Sequence, residues 1–332
     1  MSDADQSPRL IFLSYISRSG STLLARLLSE LPGVEATLEA NFPDGVFRPE
    51  LIINEPDDIP SALDRLYADP KFQGWQVSRE ALAQWLKSQN TPLRFAQILD
   101  GILKLTFPNR PHTILIKQDN AIWRTGALRQ RYPDAHVLFV ERDPRAVFNS
   151  QLKSMRSDNG KPMATNPILN AIMFERARKI IHQHAQMPWF YHLQFEALVS
   201  QPQQTLQNLC QHFDINMDDT TQDADSQTSY QQRIPEQQRH LHTIVDQAPK
   251  QQRAEAWQTE LSPIHIDAIQ FKSARTMKQA GYECIALSIS CVKKYGYRTW
   301  YAMCTIYPLA RAALRLARLK SLERLPGSKS ST

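Results

Sequence analysis

The sequence predicts an α/β fold: a parallel β-sheet flanked by helices, with a helical insertion and a basic C-terminal helical segment. Three observations predict it. Short, nearly continuous apolar runs recur at 10–15 (LIFLSY), 112–117 (HTILIK), 136–141 (HVLFVE) and 189–194 (WFYHLQ), as strands covered on both faces require. Each run is followed by a stretch of helical periodicity, the alternation that builds parallel crossovers. The 332 residues, 42% hydrophobic and 22% charged, suffice for a sizeable buried core. On this reading residues 1–282 form the sheet-bearing domain, with the insertion near 55–110 and a polar loop near 215–260, and residues 283–332 form a C-terminal extension.

In chain order, LIFLSY leads through the polar ISRSGS into TLLARLLSEL, a helical pattern that stops at Pro32-Gly33. Ser78–Gln89 and Thr91–Leu105 read as helices with Ser or Thr-Pro starts, the body of the insertion. Met163–Met187 reads as one long helix, with Ile168, Ile172, Ala177 and Ile180 near one face. Residues 201–260 hold fifteen glutamines, with QQR repeated at 231, 237 and 251, and read as a polar substrate-side loop before a helix at Pro263–Ala280. From Cys284 to Lys320 there are seven Lys or Arg and no Asp or Glu, with Trp300, Tyr301 and Tyr307 among them. Arg311, Arg315 and Arg318 share one helical face; Leu309, Ala312, Leu316 and Leu319 share another. Such a helix either docks with a solvated basic face or lies on an anionic membrane surface as a peripheral contact at its inner face.

Residue spacing excludes several kinds of chemistry. No two of the ten glycines are separated by two, four or five positions, which removes GxGxxG, GxSxG and GxxxxGK[ST]. Cys210, Cys284, Cys291 and Cys304 contain no CxxC pair, and no two histidines are four apart, so no metal site is expected. The cysteine usage fits a reducing compartment. No hydrophobic leader and no apolar stretch near the ~20 residues of a membrane span are present, so a cytoplasmic protein is expected. The net charge of +6 and pI near 9.1 favour an anionic ligand. No nucleic-acid-binding module surrounds the basic segment, and nucleic acid is not an expected partner.

Two stretches carry chemistry. Ser17-Arg18-Ser19-Gly20-Ser21-Thr22 lies between a buried strand and a helix, where backbone N–H groups and the positive helix end converge on one point. Gly20 permits close backbone approach, Ser19, Ser21 and Thr22 add hydroxyls, and Arg18 adds a permanent, directed charge. The second stretch, RDPRAVFNS at 142–150, also follows a strand. Asp143 and Pro144 suit a helix start, Arg142 leaves the strand end, and Ser150 lies about two turns along the helix. Read singly, each stretch is equally a capped turn with a surface arginine. Together they suggest a P-loop-like sheet binding a nucleotide with two separated phosphates at its carboxyl edge.

The pair resembles the sulfotransferases that use 3′-phosphoadenosine 5′-phosphosulfate (PAPS) as co-substrate and release PAP. SRSGSTLL is similar to their 5′-phosphosulfate loop, and VERDPRAVFNS to their 3′-phosphate motif, including the Arg-to-Ser interval of eight. The likeness is nearer to the carbohydrate and protein-tyrosine branches than to the cytosolic small-molecule branch, whose loop carries Lys where Arg18 stands. A third stretch, LQFEALVSQPQQTLQNLCQHFDI, looks like the family's strand-helix segment, with Phe195 in place of a tyrosine often found there.

The resemblance implies that Arg18, Ser19, Gly20, Ser21 and Thr22 hold the 5′-phosphosulfate and that Arg142 and Ser150 hold the 3′-phosphate. It also implies that Glu39, twenty-one residues after Arg18, is the general base. Lys117, twenty-five residues before Arg142, is implied as the lysine that, with Arg18, neutralises the leaving phosphate. Sulfuryl transfer asks mainly for alignment and charge neutralisation, and no metal is required. The acceptor implied is a hydroxyl on a glycan, a glycolipid, a peptide tyrosine or a small alcohol. Two alternatives compete: a P-loop kinase, which would lack its lysine because Ser21 follows Gly20, and a non-catalytic nucleotide-binding protein at a membrane surface.

Overall fold

Strand β1 (Arg9–Tyr15) sits at the centre of the sheet because both its faces are apolar, and Ile11, Phe12, Leu13 and Tyr15 are all buried. The computed structural model describes residues 7–39, 52–69, 71–109, 111–119, 121–156, 159–217 and 252–323, without the side chains at 312, 313 and 315–323. With β2 (Val34–Ala36), β3 (Thr113–Lys117), β4 (His136–Glu141) and β5 (Phe190–Gln194), β1 forms one parallel sheet in the order β2-β3-β1-β4-β5. Leu13 stands opposite Lys117 on β3, and Tyr15 opposite Val140 on β4.

The expected α/β class, parallel sheet and flanking helices are all present. All four apolar runs are strands. Strand β2 has no counterpart among them: Val34-Glu35-Ala36 is three residues long, too short to show a period, and its strand character comes from pairing with β3.

The chain divides into two compact units, one of residues 1–142 and 180–254, the other of 143–179 and 255–332. The first contains the whole sheet and a core that includes Leu13, Leu24, Leu138 and Leu193. It also carries the expected insertion, here the helices Ile59–Tyr67, Arg79–Lys87 and Phe95–Thr106. The second of these starts at the expected Ser78, whose side chain accepts from the Ala81 N–H. The third starts later than Thr91, because Gln97 Oε1 accepts from the Arg94 N–H at 2.8 Å and fixes the start there.

The second unit is helical. Its core gathers Phe148, Ala171, Phe174, Trp257, Ile269 and Met277. The long helix expected at 163–187 runs from Pro167 to His184, and its buried positions are Ile168, Ala171, Phe174, Ala177 and Ile181 rather than Ile172 and Ile180. The expected helix at 263–280 is Pro263–Gln279, and Cys291–Glu323 is a single helix containing Pro308. Residues 218–251 of the expected polar loop, and the side chains of Ala312, Arg315, Leu316, Arg318 and Leu319, lie outside the described residues.

Candidate active site

The loop from β1 into the helix Ser21–Ser29 is built on two left-handed residues, Arg18 with φ 76° and Gly20 with φ 93°. The Ser19 N–H closes the turn on the Ile16 carbonyl at 3.1 Å. Backbone of this kind lines a concavity with successive N–H groups. Gly20 caps the helix without a side chain, and Leu24 donates back to its carbonyl at 3.1 Å. The N–H groups of Ser21, Thr22 and Leu23 therefore have no carbonyl one turn earlier, and the helix's positive end adds to them. Glycine is required at position 20 twice over: its φ disfavours any side chain, and a Cβ there would run into the Phe195 ring.

Lys117 ends β3, the neighbour of β1, and is 4% exposed. Its Nζ donates to Thr22 Oγ1 at 2.8 Å and lies 5.7 Å from the centre of the Tyr15 ring. Burial pushes its pKa down to about 8; Glu39 opposes this, Lys71 and Arg18 add to it as like charges, and Asp119 opposes it weakly. A buried ammonium at the foot of the loop is a ready partner for an anion placed there.

Glu39 reaches the same place from the other side. After β2, the Thr37 N–H donates to the Leu115 carbonyl at 2.9 Å and Thr37 Oγ1 accepts from the Lys117 N–H at 3.0 Å. These bonds pin the chain to β3 and deliver Glu39 two residues later. Its carboxylate accepts from the Tyr15 hydroxyl at 3.0 Å and from Lys71 Nζ at 2.6 Å. Burial works against the charged form, but the charges of Lys117 and Lys71 and the bonds from Lys71 and Tyr15 outweigh it. The Glu39 pKa consequently lies below the ordinary glutamate value.

Arg142 leaves the end of β4. Its Nη1 donates to the Arg18 carbonyl at 3.1 Å, its Nη2 donates to the Arg253 carbonyl at 2.6 Å, and its guanidinium lies 4.4 Å over the Phe195 ring. Phe195 follows β5 directly and so serves both as the floor under Gly20 and as the platform for Arg142, tasks that need an aromatic face and no hydroxyl. Burial lowers the pKa of Arg18, which stays charged.

The first unit therefore brings together Arg18, Ser19, Gly20, Ser21, Thr22, Glu39, Lys117 and Arg142. Ser150, half-buried on the helix Pro144–Lys153, belongs to the second unit. So does Arg145, the other arginine of RDPR. Its guanidinium is tied to Asp143 by bonds of 2.7–3.2 Å and lies 3.8 Å over Trp257. It is a packing element.

Sequence reasoning missed Lys71 and the roles of Tyr15, Thr37 and Phe195. Tyr15 ends β1 and Thr37 follows β2 directly, positions that were a signal available in principle. Lys71 sits thirty-two residues from Glu39 in a turn with no periodicity to mark it.

Chain direction explains why these groups meet. From β1 the chain crosses toward β2, and from β4 toward β5, so the carboxyl ends of these adjacent strands form the switch point where such sheets bind ligands. There Arg18, Lys117 and Arg142 put positive charge around open N–H groups, with the Glu39 carboxylate beside them. Among the described residues no group of three or more His, Cys, Asp or Glu could hold a metal.

A loop of open N–H groups, a buried lysine and a carboxylate at that switch point are parts that suit a group-transfer enzyme. Residues 11–219, more than half of the chain, match the family model described as "Sulfotransferase family"; the chain belongs to the sulfotransferase family, whose reaction is sulfuryl transfer. Among solved structures, the sulfotransferase domain from the curacin biosynthetic pathway aligns with a TM-score of 0.55 at 17% identity, covering 84% of this chain and 99% of that one, and shares the fold. The sulfotransferase domain of the Synechococcus PCC 7002 olefin synthase gives a TM-score of 0.49 at 19% identity over 85% and 98% of the two chains. No curated protein matches the sequence.

Proposed function

We propose that this chain moves a sulfuryl group from PAPS to a hydroxyl acceptor, with Glu39 as general base. Arg18, Ser19, Gly20, Ser21 and Thr22 receive the 5′-phosphosulfate; Arg142 and Ser150 receive the 3′-phosphate. Lys117 and Arg18 neutralise the charge that builds on the leaving phosphate as the sulfuryl group departs. The observation that carries the reading is the coupling of base to loop: Lys117 bonds Thr22 of the phosphate loop at 2.8 Å and lowers the pKa of Glu39 by its charge.

Glu39 is ionised at neutral pH and ready to accept a proton. While bonded to Lys71 it is a weak base, and the acceptor hydroxyl must take up one of its oxygens for proton transfer to occur. The acceptor class remains that of the motif resemblance: a glycan, a glycolipid, a peptide tyrosine or a small alcohol, with the carbohydrate and protein-tyrosine branches the nearer likeness. We read 1–282 as the catalytic portion, 283–332 as an extension, and the working compartment as the cytoplasm. Pocket walls are expected from residues 40–110 and 215–260, of which 40–51 and 218–251 lie outside the described residues.

The test is Glu39→Gln, assayed with labelled PAPS against a panel of hydroxyl acceptors and with PAP titrated calorimetrically. Turnover should fall by roughly 10²- to 10⁴-fold while PAP affinity holds. Retained turnover, or loss of PAP binding with the remaining turnover chemistry intact, would refute the assignment.

A further inference from the structure

The helix Cys291–Glu323 is held along one face and bare along another. Arg298 makes a two-bond pair with Asp267, 2.8 Å for each bond. The Tyr301 hydroxyl meets His265 Nε2 at 3.0 Å, the Tyr301 carbonyl accepts from Asn166 at 3.1 Å, and Thr305 is buried. Positions 298, 301 and 305 share one helical face. On the opposite side Val292, Tyr295, Met303, Ile306, Tyr307 and Leu314 succeed one another at helical spacing, each more than half exposed, with the exposed Trp300 at their edge. Scattered exposed apolar side chains need no explanation; a continuous stripe of this length does. The face turned to solvent in 292–307 is therefore apolar and aromatic; of the basic face expected at Arg311, Arg315 and Arg318, Arg311 is exposed and the other two side chains lie outside the described residues.

We propose that this stripe seats on an anionic lipid bilayer surface. Charge selects the occupant: the run Cys284–Lys320 contains seven Lys or Arg and no acid, with Lys293 and Arg311 exposed. A second copy would oppose these cations with the same cations, whereas anionic headgroups would neutralise them. Tyr295, Trp300 and Tyr307 are the side chains that settle at the headgroup level, apolar body inward and polar tip outward. No helix of the described residues is long and apolar enough to cross a membrane, so the helix lies in the interface plane with Arg298 and Tyr301 anchoring it to the protein. The inference is independent of the transfer chemistry proposed above.

The full chain is sedimented with vesicles of phosphatidylcholine alone or mixed with phosphatidylserine, alongside the variant Trp300→Ser/Ile306→Ser/Tyr307→Ser. Each cation near an anionic surface strengthens binding roughly fivefold, so Lys293 and Arg311 alone should favour the mixed vesicles by about 25-fold, an advantage that salt erodes. The triple variant should lose at least about tenfold in binding while keeping the parent's thermal midpoint, because the three side chains are exposed. Equal or absent binding to both vesicle types overturns the proposal. So does wild-type affinity in the triple variant, or a wild-type dimer in sedimentation velocity that the variant abolishes.

Discussion

Charge is arranged differently in the helical unit and at the carboxyl edge of the sheet. In the helical unit acids and bases are matched in pairs: Asp143 with Arg145, Glu175 with Lys272, Asp267 with Arg298, and Glu260 with Lys153. At the carboxyl edge of the sheet, Arg18, Lys71 and Lys117 share the space with Glu39 and Asp119, and Arg142 bonds the Arg18 carbonyl; burial is the main cause that depresses the pKa of Lys117, and Lys71 and Arg18 add to it as like charges. Matched charges build structure. A cluster in which cations outnumber carboxylates is suited to a ligand of negative charge. The difference teaches which arginine of RDPR to follow: Arg145 is satisfied by its own unit, whereas Arg142 is spent on orienting the loop at Arg18.

The largest effect that sharpens this contrast belongs to the matched side. Asp143 and Arg145 have side chains 7% and 3% exposed, and breaking such a pair leaves a buried charge uncompensated at a cost of about 3–5 kcal/mol. Arg145→Met should lower stability by that amount in urea unfolding, while transfer per folded molecule persists well below the melting temperature. Unchanged stability would mean that the pair is not a structural element, and the contrast would fail.

A smaller, purely functional effect belongs to the sheet edge. Lys117 carries its proton below about pH 8 and loses it above, so kcat/KM for the donor should decline as pH rises through that value. Bound phosphates favour the ammonium form, and the corresponding limb of kcat should lie at higher pH. A kcat/KM profile flat to pH 10 would show that no buried cation of this kind serves the donor.

How far the sequence reached follows the range of the interactions. β1, β3, β4 and β5 announce themselves because a strand buried on both faces must be apolar along its whole length, whereas Val34-Glu35-Ala36 is a strand only by virtue of β3. The turn after β1 was legible because its geometry is local: Arg18 and Gly20 must turn the chain within a few residues. Glu39 and Lys117 were visible only through the motif resemblance, since their meeting depends on Thr37 tying the end of β2 to β3. Lys71 was illegible, because what brings it to Glu39 is the packing of an entire insertion. Phe195 read as a departure from a pattern; its ring under Gly20 and Arg142 keeps the aromatic face that the position uses.

Lys71 also supplies the finest test of the contrast. Its pair with Glu39 is about a third exposed on both sides, 31% and 33%, so its contribution to stability is at most about 1 kcal/mol. Electrostatically it acts twice, lowering the pKa of Glu39 and that of Lys117. Lys71→Met removes one positive charge from both neighbours, so the Glu39 pKa rises toward its ordinary value and the Lys117 pKa rises as well. Both limbs of the pH–rate profile should then move to higher pH together, with turnover at neutral pH changed by less than about tenfold, since a more basic carboxylate compensates for its looser orientation. The matched unit provides the control: Lys272→Met, which removes a cation paired with Glu175, should cost similar stability and move neither limb. If the two substitutions shift the profile alike, the surplus charge at the sheet edge is not the property that tunes this site.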